Sequence, residues 1–111
     1  MAYFNGFDDA ADVASQFNVP EAADLNILVA VYETPSYEGY AFVLFEREGK
    51  LYEVNGSHCS CYGLEDQWGE EEVVPAALLM RVEENPDRYH YGALEEKGDR
   101  DAVREALAAY A

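Results

Sequence analysis

Residues 27–54 read ILVAVYETPSYEGYAFVLFEREGKLYEV and hold the longest concentration of strand-forming sequence in the chain. Ile27 to Tyr32 is an unbroken apolar run rich in β-branched residues, short enough for a strand and apolar on both alternations. Such a run predicts a strand buried on both faces. Thr34-Pro35-Ser36 interrupts it, and Tyr40 to Phe45 repeats the pattern until Glu46, Arg47 and Glu48 turn it polar. Glu48-Gly49-Lys50 reads as a tight hairpin turn in which Gly49 supplies a positive φ. Leu51-Tyr52-Glu53-Val54 then returns as a third strand. Three consecutive strands with short connections predict a three-stranded antiparallel meander with helices on at least one face.

The flanks supply those helices. Phe7, Ala10, Ala14 and Phe17 recur at helical spacing over residues 7–18, with Asn5 or Gly6 placed to cap the start and Asp8 and Asp9 suited to the positive end of the dipole. Pro20 ends this helix, and Pro-Glu-Ala-Ala-Asp can add a further short turn. Pro75 stands at a favoured first helical position, Leu78, Leu79 and Val82 form a buried stripe, and Asn85-Pro86 stops the helix. Asp99 is expected to cap a last helix whose apolar face is Val103, Ala106, Leu107 and Tyr110. The expectation is one α+β domain over residues 1–111, a three-stranded antiparallel meander packed with three or four helices.

The chain carries 23 acidic and 7 basic residues, a formal charge of −16. Acidic disorder does not account for it, because 50% of the residues are hydrophobic and 14% aromatic. The charge is therefore expected on the surface of a folded body. It is uneven: residues 1–80 hold fifteen acids and two bases, a balance of −13, whereas residues 81–111 hold eight acids and five bases, a balance of −3. Direct nucleic-acid binding through a basic groove is excluded, since phosphate contacts need clustered Lys and Arg. No run approaches the ~18 apolar residues of a membrane span, and the first residues lack a basic stretch followed by an apolar one. A cytoplasmic location is expected.

Ser57-His58-Cys59-Ser60-Cys61-Tyr62 is the one cluster with the atoms for a chemical site. A zinc reading would use Cys59 and Cys61 with His58 or His90, but structural sites space paired cysteines by two to four residues, and a second Cys pair is absent. A nucleophilic Cys59 needs a base within reach, while its neighbour His58 would point to the opposite face of an extended chain and the surrounding acids would raise the thiol pKa. The competing reading is two small, semi-buried sulfur side chains. Carboxylates are too numerous for any catalytic pair to be singled out, and neither an Asp-rich calcium loop nor a phosphate-cradling glycine motif occurs. The expectation is no catalytic residue and no cofactor. Of the nine tyrosines, most suit a core with hydroxyls at its rim; Tyr37, Tyr62, Tyr89 and Tyr91, with Trp68, fall in loop segments and are candidates for partner contact.

Residues 36–82 contain Tyr37-Glu38-Gly39-Tyr40 and the long motif YEVNGSHCSCYGLEDQW at residues 52–68. In this stretch the chain resembles a family of small phage- and prophage-encoded proteins. The resemblance implies a phage or prophage origin and brings no catalytic residues. Together with the acidity it implies a host-defence antagonist of the anti-CRISPR or anti-restriction kind, acting in the bacterial host by stoichiometric binding. An array of carboxylates would then engage a basic nucleic-acid site on a defence protein. The candidate partner-binding residues are Glu65, Asp66, Trp68, Glu70, Glu71 and Glu72, with Tyr62 and Tyr37. Two alternatives stand beside this: a metal- or thiol-dependent site at His58, Cys59 and Cys61, and an acidic domain whose charge serves solubility or a salt-rich host.

Overall fold

Strands that are apolar on both alternations need cover on both faces of their sheet. A computed structural model of the chain, describing residues 2–34, 38–58, 63–84, Leu94 and 97–110, has this arrangement. Strand β1 (Tyr3–Asn5) leads into helix α1 (Ala10–Phe17) and a 3-10 turn (Pro20–Asp24). Strands β2 (Asn26–Glu33), β3 (Gly39–Arg47) and β4 (Lys50–His58) follow. A short β5 (Glu71–Glu72), helix α2 (Pro75–Glu84) and helix α3 (Lys97–Ala108) complete the described order.

The sheet order is β1-β2-β3-β4-β5. Strands β2, β3 and β4 are antiparallel as expected, but the three-stranded antiparallel meander is overturned, because the sheet is five-stranded and mixed. β1 runs parallel to β2, Tyr3 to Asn5 lying beside Val29 to Val31. A parallel pair needs a long crossover, and residues 6–25 supply it as α1 and the 3-10 turn. Both added strands are too short to show a period in sequence. Glu71-Glu72 also has low strand propensity and becomes a strand only by pairing with Tyr52 and Glu53.

Val29, Val31, Phe42, Leu44 and Leu51 pack against Leu78 and Val82 of α2 and Val103 and Leu107 of α3. Ile27, Ala30, Ala41, Val43, Phe45 and Val54 pack on the opposite side against Phe7, Val13 and Phe17. The sheet is thus a central layer between α1 on one face and α2 with α3 on the other. Alternation in β2 is broken at Leu28, where the register shifts between Ile27 and Val29. This bulge turns Leu28 and Val29 to the same side and lets one strand feed both cores.

Two helix starts differ from expectation. α1 begins at Ala10, not beside Asn5 or Gly6, because Asp9 is its N-cap and accepts the Asp12 amide at 2.8 Å. The Asp12 carboxylate in turn accepts the Asp8 amide at 2.9 Å. These carboxylates reciprocally satisfy backbone donors in the manner of a capping box. Asp99 does not precede α3; it lies fully buried in the helix's first turn and accepts the Tyr3 hydroxyl at 2.7 Å and the Asn5 amide at 2.9 Å. Gly6, with φ +90, lies where an added Cβ would stand 1.9 Å from the Tyr32 carbonyl oxygen. Only glycine fits there.

Candidate functional site

The segment after β4 folds over the same face of the sheet as α1. Leu64 joins Phe17 in the core, and both contact the place where a Gly56 side chain would stand. Trp68 meets Phe17 edge-on at 5.1 Å between ring centroids and stacks on Phe45 at 5.9 Å. Gln67 ties this segment to β4 by accepting the Ser57 amide at 2.8 Å, in place of a further strand residue. α1, the 3-10 turn and residues 63–69 therefore form one continuous layer.

With the capping residues that lead into α1, that layer carries seven carboxylates, Asp8, Asp9, Asp12, Glu21, Asp24, Glu65 and Asp66, and neither Lys nor Arg. All but Asp12 are exposed. Arg47 and Lys50 stand at the tip of the β3–β4 hairpin. Arg47 is committed: it donates to both Glu70 oxygens, at 2.7 and 3.4 Å, and lies over the Tyr52 and Phe45 rings, 4.7 and 5.4 Å from their centroids. The Arg47 guanidinium holds the Glu70 carboxyl below the ordinary carboxylate range; partial burial opposes this, and the Trp68 indole N–H, 3.0 Å away, adds to it.

The opposite face is electrostatically different. Arg81 of α2 pairs at 2.5 Å with Glu53, whose residue is only 5% exposed. Arg104 pairs with Glu83 and Asp101, and Lys97 with Asp101. The sheet thus separates an acidic layer from a layer of compensated charge.

The sequence-derived candidates divide accordingly. Glu65 and Asp66 lie exposed on the acidic layer. Trp68 belongs to the core beneath it, and Glu70 is neutralised by Arg47. Glu71 and Glu72 are exposed on the edge strand but oppose Glu53 and Tyr52, so they point to opposite faces and form no single patch. Charged residues on so short an edge strand also discourage further strand pairing. Tyr37, Tyr62, Tyr89, Tyr91, Cys59 and Cys61 lie outside the described residues, as does His90. Asp8, Asp9, Asp12, Glu21 and Asp24 were not among the candidates, although the absence of Lys and Arg from residues 1–46 is legible in the sequence.

His58 packs beneath the acidic layer. Its Nε2 lies 2.6 Å from the Tyr32 hydroxyl, and the two rings meet edge-on. Burial, and then the nearby Glu65 carboxylate, raise the Tyr32 phenol above its usual pKa. Gly39 makes room for the imidazole, since a Cβ there would fall 2.0 Å from Nε2. Among the described residues, no group of three His, Cys, Asp or Glu side chains is placed to hold a metal ion, and no helix is long and apolar enough to cross a membrane. No protein-family model matches the chain, and comparison with curated proteins and with solved structures gives no significant match.

Proposed function

We propose that this protein is a non-enzymatic, stoichiometric inhibitor whose acidic layer occupies a basic nucleic-acid-binding surface of a host defence protein in a bacterial cell. The observation that carries the reading is the charge segregation: seven carboxylates on residues 8–24 and 63–69, with no Lys or Arg among them. A Lys- and Arg-lined groove attracts any rigid array of negative charge, and such steering accelerates association. Rigidity here comes from Phe17, Leu64 and Trp68, which fix the layer to the sheet and limit the entropy lost on binding. The phage resemblance of residues 36–82 supplies the biological setting, an anti-CRISPR or anti-restriction role.

A pull-down from bacterial host lysate at low salt is expected to capture a basic nucleic-acid-binding protein, with affinity falling steeply as salt rises. Replacing Asp8, Glu21, Asp24 and Glu65 by their amides should weaken the complex by about tenfold or more and flatten its salt dependence. These side chains are exposed and, unlike Asp9 and Asp12, do not cap α1. A complex indifferent to ionic strength would sink the reading.

A further inference from the structure

α2 and α3 leave a groove of about 520 Å3 between them, lined by Pro75, Ala76, Leu79, Leu107 and Ala108. Glu83 and Arg104, paired at 3.1 Å, also line it and give it a polar flank carrying one charge of each sign. On α2 beside the groove stands Met80, 56% exposed, and Val74, 65% exposed, immediately precedes the helix. Single exposed hydrophobic residues need no explanation, but Val74 is the chain neighbour of Pro75, which lines the apolar cleft, and Met80 shares a helix with Ala76, Leu79 and Glu83 of its wall. Met80 is four residues after Ala76 and three before Glu83, which places it along the groove's margin. The surface therefore carries both a projecting side chain and a recess.

We infer that a second copy of this chain docks here, forming a two-fold dimer through α2 and α3. In an isologous contact the same patch meets itself, so Met80 of each copy enters the groove of the other. Charge selects this occupant. α2 and α3 together hold four bases (Arg81, Lys97, Arg100, Arg104) and five acids (Glu83, Glu84, Asp99, Asp101, Glu105), a balance of −1, which leaves −15 of the total −16 to the rest of the chain. Two copies meeting through the acidic layer would repel strongly, whereas through α2 and α3 they meet where charge is compensated. Each copy also presents Glu83 and Arg104, so the flank is complementary to itself. A strongly basic partner would be drawn to the acidic layer instead. Because the sheet lies between the two faces, a dimer of this kind directs both acidic layers outward.

The test is sedimentation equilibrium of the full chain over a concentration series at low and high salt. The expected result is a dimer whose fraction rises with protein concentration and also with salt, since salt screens the like charge of the copies. Met80→Glu and Val74→Glu, both at exposed positions, should preserve the circular dichroism of the fold and weaken the dimer at least about tenfold. A monomer at every concentration and salt overturns the proposal, and a dimer unaffected by either substitution overturns the assigned face. Binding of a basic partner has the opposite salt dependence, so the dimer and the acidic-layer inhibitor stand or fall separately.

Discussion

Asp99 joins the two ends of the described chain: its Oδ1 accepts from Tyr3 and Asn5 of β1, while its backbone lies in the first turn of α3. A carboxylate in that turn is also favoured by the helix dipole. Its other oxygen, Oδ2, is buried and makes no hydrogen bond, so the two hydrogen bonds to Oδ1 and the dipole offset the burial. Asp99→Ala removes the shared acceptor of two part-buried donors and should cost about 2–3 kcal/mol in urea denaturation. A loss below ~0.5 kcal/mol, the level of an ordinary surface change, would show that the contact does not hold β1 to α3. None of this was legible beforehand. Asp99 fits the N-cap pattern in sequence, and nothing local reveals that its partners stand 94 and 96 residues away.

Among the elements, the β3–β4 hairpin and the segment leading to β5 are clamped by Arg47, Glu70, Trp68 and Tyr52. Arg47 lowers the Glu70 pKa, and a carboxyl whose folded pKa is depressed stabilises the fold above its unfolded pKa; that contribution disappears as pH falls through the folded value. Wild type should therefore exceed Glu70→Gln in stability at pH 7, and the difference should shrink progressively on acidification below the ordinary Glu range. Urea titrations of both proteins across that span measure it; a pH-independent difference would assign the effect to packing rather than to the ion pair. The central elements could be read from apolar run length, and α2 from its proline and its apolar stripe. β1 and β5 could not, because two- and three-residue strands exist only through a neighbour's unpaired backbone groups.

For the whole molecule, the decisive property is where the charge lies. A net charge of −16, seven carboxylates of it on one layer, opposes the compact state by self-repulsion, so added salt should raise the melting temperature over the first few tenths molar and then level off as the Debye length falls below ~5 Å. Calorimetry at graded salt measures this; a chain that folds only in molar salt would instead support the salt-rich-host reading. Run length and composition alone establish that the chain folds, that β2, β3 and β4 form an antiparallel unit, and that residues 1–80 hold most of the net charge. Those features follow from apolar content, run length and composition, which need no knowledge of long-range neighbours. Which carboxylates share a face depends on long-range packing. The parallel β1–α1–β2 crossover carries Asp8, Asp9, Asp12, Glu21 and Asp24 over one side of the sheet, and Leu64 and Trp68 bring Glu65 and Asp66 onto it. The same packing removes Glu70 from the free charge and splits Glu71 from Glu72, because strand geometry and a distant arginine outrank adjacency in the chain.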